Sequence, residues 1–196
     1  MNLPTKITVF RIILAPIFFI IFFIPEWTGC FAVGSVGILI PMLIVMELSD
    51  VLDGYIARKH NLVTDLGKIL DPFSDVISRV TFFICFTFTG IMPLWTLLII
   101  IYRELSITFL RMMMMGRGTA MAASIWGKAK AVTYTAASAL GLIQISIYRL
   151  GLEFPGLMVF ETVTLVFFIL AAAASALSFM TYAVNVRRVF KSNETA

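Results

Sequence analysis

Residues 50–75 read DVLDGYIARKHNLVTDLGKILDPFSD and lie between long apolar runs. These apolar flanks place the carboxylates of the stretch at or near a lipid bilayer. A carboxylate in that setting is costly unless it is paired or solvated, so its default interpretation is a functional site. Because several carboxylates gather in this one stretch, they need a joint explanation.

Helical spacing sorts the acidic and small residues of this stretch onto two faces. Four of them share one face, at positions i, i+3, i+4 and i+7: Asp50, Asp53, Gly54 and Ala57. Three more form a stripe on a second helix, at i, i+4 and i+8: Gly67, Asp71 and Asp75. Two facing helices of this kind present four carboxylates to one cavity. Four uncompensated negative charges repel one another, so hard divalent cations with oxygen ligands are natural counter-charges.

The stretch resembles the signature of the CDP-alcohol phosphotransferase family, which reads D-x-x-D-G-x-x-A-R-x8-G-x-x-x-D-x-x-x-D. Every fixed position of that signature is matched here: Asp50, Asp53, Gly54, Ala57, Arg58, Gly67, Asp71 and Asp75. The alternatives for these carboxylates are a polar interface within a helix bundle and a cation or proton path in a transporter. A transporter favours charges near the bilayer midplane, often repeated in two halves of the chain. Here the charges cluster once, at one edge of the membrane.

The resemblance implies a role for each residue of the motif. It implies two divalent metal ions, Mg²⁺ or Mn²⁺, with four carboxylate ligands: Asp50, Asp53, Asp71 and Asp75. Asp75 would also be the catalytic general base that takes the proton of the acceptor hydroxyl. A further set would bind the cytidine diphosphate of the donor, with small residues leaving room for cytidine and Arg58 holding the diphosphate: Asp53, Gly54, Ala57, Arg58 and Gly67.

The composition predicts an integral membrane protein. Of 196 residues, 60% are hydrophobic and 13% are charged, which is more apolar surface than a soluble protein of this length can hide. Hydropathy marks roughly six segments of membrane-spanning length, near residues 7–24, 31–57, 71–90, 92–115, 122–148 and 157–186. We therefore expect an all-α, six-transmembrane-helix bundle. It should form a single membrane-embedded catalytic domain over residues 1–196, including a short amphipathic lead-in at 1–10 and a polar tail at 188–196.

The distribution of basic residues predicts the orientation of the bundle. Of 15 lysines and arginines, only Arg149 falls in a loop predicted on the side opposite the motif. By the positive-inside rule, both termini and the motif should face the cytoplasm, which requires an even number of spans. We expect a multi-pass protein of the cytoplasmic (inner) membrane with its active site facing the cytoplasm. The net charge of +4 fits this topology, and we expect no nucleic-acid partner because the sequence contains no such motif.

Three basic or polar residues outside the core motif are further candidates. Residues 2–11 read NLPTKITVFR and resemble an opening common in the branch of the family that uses glycerol 3-phosphate. That resemblance makes Thr8 and Arg11 candidate substrate contacts, with a positive-inside membrane anchor as the alternative. Arg79 continues the stripe of Asp71 and Asp75 by one turn, and at that depth it should pair with a carboxylate or a phosphate. Its partner is either Asp75, in a structural role, or the substrate.

Four basic residues of the fourth and fifth segments predict a pocket for an anionic acceptor: Arg103, Arg111, Lys128 and Lys130. Guanidinium groups bind phosphate oxygens bidentately, and ammonium groups add point charge. The branch that uses glycerol 3-phosphate carries an Arg-Glu pair similar to Arg103-Glu104 and an element similar to Gly127–Lys130. The alternative is basic flanking of membrane spans together with one buried Arg–Glu pair.

Taken as a whole, the resemblance implies transfer of the phosphatidyl group from CDP-diacylglycerol to glycerol 3-phosphate, with release of CMP. Inositol phosphate, serine and phosphatidylglycerol stay open as other acceptors within the family. The lipid donor would remain in the bilayer while the polar acceptor enters from the cytoplasm. The resemblance also implies a homodimer, and the small residues at 171–175 permit the close helix packing that a subunit interface needs.

Overall fold

The computed structural model describes residues 2–59, 65–115 and 125–194, and the regular secondary structure of these ranges is helical. Six helices follow one another along the chain: α1 (Leu3–Thr28), α2 (Ala32–Lys59), α3 (Asp65–Phe88), α4 (Leu94–Met115), α5 (Ile125–Arg149) and α6 (Leu157–Glu194). The prediction of an all-helical bundle with six long segments is confirmed. Several helices extend past their predicted limits: α3 begins at Asp65 instead of near residue 71, α1 includes most of the lead-in, and α6 continues through the polar tail to Glu194.

Four of these helices are long and apolar enough to cross a membrane, over Pro4–Thr28, Ala32–Leu52, Trp126–Arg149 and Leu157–Val184. Helices α3 and α4 have 24 and 22 residues, but their apolar lengths are interrupted by ionisable residues: Asp71, Asp75 and Arg79 in α3, and Arg103, Glu104 and Arg111 in α4. Nearly all of these are residues that the sequence marks as functional. The chain is a multi-pass membrane protein in which α3 and α4 carry ionisable candidate residues within their apolar lengths.

Buried phenylalanines fill the centre of the bundle. Helix α1 packs against α2 and α3, and α6 packs against α4 and α5. The fully buried phenylalanines come from three helices: Phe18, Phe22, Phe82, Phe83, Phe86 and Phe168. Several of them meet at edge-to-face angles, as aromatic pairs prefer: the ring centroids of Phe18 and Phe82 lie 4.7 Å apart, and those of Phe83 and Phe168 lie 6.1 Å apart. This aromatic core fixes α3, and with it the carboxylates of Asp71 and Asp75.

A buried arginine ties three helices together at the end of the bundle away from the motif. Arg149, the last residue of α5, donates from Nη1 to Ser35 Oγ of α2 (2.9 Å) and from Nη2 to the carbonyl of Phe22 in α1 (2.7 Å). Glu26 Oε1 lies 3.8 Å from the same Nη2, and the guanidinium carbon lies 4.5 Å from the centroid of the Phe22 ring. The one basic residue predicted in an opposite-side loop is therefore the end of a helix and a cross-link between helices.

Candidate active site

A single cavity of about 260 Å³ brings together much of the predicted site. Three of the four predicted metal-binding carboxylates line it, with two of the four predicted acceptor-binding cations: Asp50, Asp71, Asp75, Arg103 and Lys130. Glu104, Gly127 and Tyr182 line it as well. The side chains of four other predicted site residues lie outside the described part of the chain: Asp53, Ala57, Arg58 and Arg111.

Arg11 supplies positive charge to two of the cavity carboxylates. Its side chain is only 2% exposed, and it reaches from α1 to both α2 and α3. Nη1 donates to Asp50 Oδ1, and Nη2 donates to Asp71 Oδ1 at 3.1 Å. The side chains of Asp50 and Asp71 are 35% and 51% exposed, so part of each carboxylate still faces the cavity. An arginine therefore bridges the two helices at the place where the sequence predicts only divalent cations as counter-charge.

Thr8 helps to seat the helix that carries Arg11. The Thr8 hydroxyl donates to the carbonyl of Pro4 at 3.1 Å, one turn earlier in α1. The Thr8 carbonyl accepts a hydrogen bond from the hydroxyl of Ser74 in α3, at 3.3 Å. Both Thr8 and Ser74 are buried. These contacts place Thr8 at the interface of α1 with α3, next to Ser74, the residue that precedes Asp75.

Arg79 has Glu47 of α2 as its principal partner. Its Nη1 lies 2.6 Å from Glu47 Oε1, and its Nη2 donates to Glu47 Oε2 at 2.9 Å. Asp75, the partner expected from the sequence, is contacted only through Nε at 3.4 Å. The hydroxyl of Thr135 in α5 also donates to Glu47 Oε2, at 3.0 Å. Arg79 does find a carboxylate, as expected at this depth, but mainly on a different helix.

Glu104 organises the basic side of the cavity. Arg103 Nη1 donates to both oxygens of the Glu104 carboxylate at 3.0 Å, and Lys130 Nζ lies 2.7 Å from Oε1. The Tyr134 hydroxyl donates to the same Oε1 at 3.1 Å, and Arg103 Nη2 donates to Ser178 Oγ at 2.8 Å. All five side chains are buried. The sequence draws attention to the Arg103-Glu104 pair, but the contacts with Tyr134 and Ser178 were missed.

Lys128 does not join Lys130 at the cavity. Lys130 is buried among cavity residues, whereas Lys128 is exposed. The two residues are two positions apart on α5, and side chains at that spacing do not face the same way on a helix. Of the described candidate cations, the structure therefore brings Arg103 and Lys130 together and leaves Lys128 on the outer surface of the helix.

The predicted surface for cytidine diphosphate is described only at its two glycines. Gly54 lies in α2 and Gly67 in the first turn of α3, and both are partly exposed. The two glycines lie on the two helices that carry Asp50 and Asp71. This placement is compatible with a nucleotide approaching the cavity from the ends of α2 and α3.

The carboxylates of the cavity have the type of donor atom that hard divalent cations bind. Oxygen donors from aspartate are the ligands that Mg²⁺ and Mn²⁺ prefer, and three such residues line the cavity. Within the described ranges, no three acidic, cysteine or histidine side chains lie close enough together to hold a metal ion. The side chain of Asp53, the fourth predicted ligand, is not in that set.

Several residues of the site were missed in the sequence, and one regular pattern among them was available. Ser175, Ser178 and Tyr182 recur at i, i+3 and i+7 along α6, which places them on one helical face. Ser175 Oγ lies 2.9 Å from the Tyr134 hydroxyl, Ser178 accepts from Arg103, and Tyr182 lines the cavity. A polar stripe in an otherwise apolar span is the signal that could have marked α6 as part of the site.

The chain belongs to the CDP-alcohol phosphatidyltransferase family, because the sequence profile of that family matches residues 1–184. The family predicted from residues 50–75 is thereby confirmed. Family membership also agrees with the all-helical membrane bundle and with the position of the aspartate motif at the cavity.

Three relatives that cover about two thirds or more of this chain carry the same enzyme name. The chain is 41% identical over 135 residues to the CDP-diacylglycerol–glycerol-3-phosphate 3-phosphatidyltransferase of Bacillus subtilis, which spans 66% of this chain and 70% of that protein. It is 34% identical over 158 residues to the enzyme of the same name from Treponema pallidum, spanning 78% of this chain and 73% of that protein. The corresponding protein of Haemophilus influenzae is 34% identical over 136 residues, spanning 66% of this chain and 69% of that protein.

Proposed function

We propose that the protein transfers the phosphatidyl group of CDP-diacylglycerol to glycerol 3-phosphate and releases CMP. The observation that carries this proposal is that Arg103 and Lys130 line the same cavity as Asp71 and Asp75. Such a cavity can hold the phosphate of a phosphorylated alcohol against the cations while the hydroxyl of that alcohol approaches a carboxylate. The shared name of the relatives supports the same reaction.

The charge balance of the basic side favours an anionic acceptor. Arg103 and Lys130 contribute two positive charges, and the carboxylate that contacts both of them, Glu104, contributes one negative charge. A buried excess of positive charge is costly unless an anion compensates it. Arg103 Nε is also buried without a hydrogen-bond partner among the described residues. A phosphate monoester can balance the excess positive charge and accept a hydrogen bond from Arg103 Nε, whereas a neutral acceptor such as serine leaves the excess charge in place.

Asp75 is the proposed general base. The acceptor hydroxyl would give its proton to an Asp75 oxygen as its own oxygen attacks the phosphorus nearer the lipid. The bond from that phosphorus to the CMP oxygen breaks, and CMP leaves. Arg58 would hold the diphosphate, and the small residues Gly54, Ala57 and Gly67 would leave room for cytidine.

Divalent metal ions belong to the proposed reaction, since enzymes of this family generally use them. We assign two Mg²⁺ or Mn²⁺ ions to the four aspartates of the motif: Asp50, Asp53, Asp71 and Asp75. When bound, such ions neutralise the donor diphosphate and the charge that develops on the departing CMP.

The proposed location is the cytoplasmic face of the inner membrane, with both termini in the cytoplasm. The bias of basic residues toward the side of the motif supports this orientation. It also lets the acyl chains of the donor stay in the bilayer while glycerol 3-phosphate enters from water. The family resemblance supports a homodimer, which the mass of the purified protein in a detergent of known contribution would test.

Release of CMP from CDP-diacylglycerol tests the proposal directly. Purified protein in lipid nanodiscs with Mg²⁺ or Mn²⁺ should release CMP with glycerol 3-phosphate. It should not do so with serine, inositol phosphate or phosphatidylglycerol. Release with only one of those acceptors would mean that the proposed acceptor is wrong while the family assignment still holds. If no acceptor gave CMP release and reconstituted liposomes showed cation or proton flux, the proposed enzymatic function would be wrong and a transporter would be favoured.

Lys130 and Lys128 give a matched pair for the acceptor site. Lys130→Ala should raise the KM for glycerol 3-phosphate by about tenfold or more, because a charge-assisted contact to phosphate contributes about 1.5–3 kcal/mol. The KM for CDP-diacylglycerol should change much less. Lys128→Ala removes the same chemical group from the exposed face of α5, and its effect should be far smaller. Steady-state kinetics with each substrate varied in turn measures this, and equal effects of the two lysines would remove Lys130 from the acceptor site.

A further inference from the structure

Arg79 makes an unusually weak contact with the proposed base, Asp75, for a residue four positions away on the same helix. Arg79 follows Asp75 by four residues on α3, a separation at which opposite charges normally form a close pair. Arg79 is only 7% exposed, so it needs a carboxylate partner. Even so, its contact with Asp75 is a single long one, from Nε to Oδ1 at 3.4 Å. Its Nη2 donates instead to Glu47 Oε2 at 2.9 Å, and its Nη1 lies 2.6 Å from Glu47 Oε1.

Glu47 is itself held in place to receive Arg79. It lies on α2, three residues before Asp50, and the hydroxyl of Thr135 in α5 donates to its Oε2 at 3.0 Å. Its side chain is 21% exposed. The Glu47 carboxylate therefore has partners on α3 and α5. A carboxylate restrained from two helices can fix the direction of a long arginine side chain.

We propose that Glu47 is a positioning residue which holds Arg79 away from Asp75 and so keeps the Asp75 carboxylate open to the acceptor hydroxyl and to the metal. This inference rests on the proposed function, in which Asp75 is the base and a metal ligand. Arg79 has five N–H donors, which can cover both oxygens of a carboxylate. An Asp75 covered in this way has neither a lone pair for the proton nor an oxygen for a cation.

Loss of the Glu47 charge should redirect Arg79 onto Asp75. A buried arginine that loses its partner turns to any carboxylate within reach, because an unpaired charge in this setting is strongly unfavourable. The small space around Arg79 is lined by two other carboxylates, Asp50 and Asp75. Since Asp50 is already paired with Arg11, Asp75 is the partner that remains. The single contact between Asp75 and Arg79 would become shorter, and further N–H groups of Arg79 would donate to Asp75.

The test compares Glu47→Gln with the double variant Glu47→Gln/Arg79→Gln. In the single variant, kcat for CMP release should fall by about tenfold or more, a part of what a general base contributes, while the KM for glycerol 3-phosphate stays close to that of the wild type. Removing the redirected arginine should recover most of the lost kcat. A residue that only stabilises the fold predicts the opposite order, with the double variant at least as impaired as the single one.

Manganese affinity gives a readout that is independent of turnover. Mn²⁺ binding in the presence of CDP, followed by electron paramagnetic resonance, should weaken several-fold in Glu47→Gln and recover in the double variant, because Arg79 and the cation compete for Asp75. Glu161→Gln is a matched control, since Glu161 pairs with Tyr148 outside the site. It should change neither kcat nor Mn²⁺ affinity.

The outcomes separate this inference from the proposed function. A wild-type protein that releases no CMP overturns the proposed function, while the order of Mn²⁺ affinities still tests Glu47. An active wild type whose Glu47→Gln variant keeps full kcat and Mn²⁺ affinity overturns the role of Glu47 alone. If Glu47→Gln fails to fold, Glu47→Asp keeps the charge on a shorter side chain. If Arg79 competes for Asp75, that variant should bind Mn²⁺ more weakly than both the wild type and the Arg79→Gln/Glu47→Asp double variant, and equal affinities would overturn the inference.

Discussion

Asp75→Asn should lower kcat for CMP release by about 10²–10⁴-fold, the range that a positioned general base contributes. Asparagine has nearly the same shape as aspartate but cannot accept the acceptor proton. Asp75 lines the cavity together with Arg103 and Lys130, so the substitution removes the one carboxylate proposed to act on an acceptor held there. The measurement is single-turnover release of CMP with saturating glycerol 3-phosphate.

Binding should survive this substitution better than turnover does. The remaining aspartates of the motif still provide metal ligands, and the basic residues of the cavity are untouched. We therefore expect CDP and Mn²⁺ to bind Asp75→Asn measurably, by competition and by paramagnetic resonance. A variant that turns over at nearly the wild-type rate would remove Asp75 as the base.

Arg11→Met should destabilise the protein by about 3 kcal/mol and make its stability depend strongly on divalent cations. Breaking a buried ion pair costs about 3–5 kcal/mol, and the lower end applies because Asp50 and Asp71 are partly exposed. Without the guanidinium, these two carboxylates lose the positive charge that bridges them. Mg²⁺ or Mn²⁺ can supply the missing charge, and a ligand that binds only the folded state raises its stability. Thermal unfolding in detergent, with and without the cation, measures both effects.

Arg149→Met provides the matched control for Arg11→Met. It also removes a buried arginine that joins α1 to other helices, through Phe22 and Ser35, but no pair of carboxylates depends on it. Its loss of thermal stability should be the same with and without the cation. An Arg11→Met variant that gains no more from Mn²⁺ than wild type does would show that Arg11 is not a counter-charge for the aspartates.

The sequence predicted the elements of this site better than their contacts. Asp71 and Asp75 lie on the same face of α3 because they are four residues apart, and this spacing is a local property of the chain. Their approach to Asp50 was expected from the motif, and the three carboxylates do line one cavity. Positive-inside bias, by contrast, predicts which side a basic residue lies on but not which carboxylate it will meet.

The ion pairs depend on helix packing that no local pattern encodes. Arg11 meets Asp50 and Asp71 across separations of 39 and 60 residues, and Arg79 meets Glu47 across 32. Local reasoning favours the partner four residues away, which is why Asp75 was named, beside the substrate, as a partner of Arg79. The burial of phenylalanines on α1 and α3 decides the rotation of those helices, and thereby decides which carboxylate each arginine reaches.

The separate positions of Lys128 and Lys130 could have been predicted from helix geometry alone. Lys128 and Lys130 were both assigned to the acceptor pocket, yet residues two positions apart lie on different faces of a helix. Tyr134, four residues after Lys130, does share its face, and the Lys130 ammonium lies 4.8 Å from the Tyr134 ring centroid. A check of each candidate against its own helical face would have kept Lys130 and added Tyr134.

The Arg149 cross-link has a consequence for the order in which the nascent protein is assembled. A chain inserted from its N-terminus completes the contacts of Arg11 with Asp50 and Asp71 once its third helix has been made. The contacts of Arg149 with Ser35 and Phe22 span 114 and 127 residues and must await the fifth. Biogenesis should therefore join α1 to the aspartates of α2 and α3 before Arg149 cross-links the far end of the bundle, and a ribosome stalled between the third and fifth helices would display that intermediate.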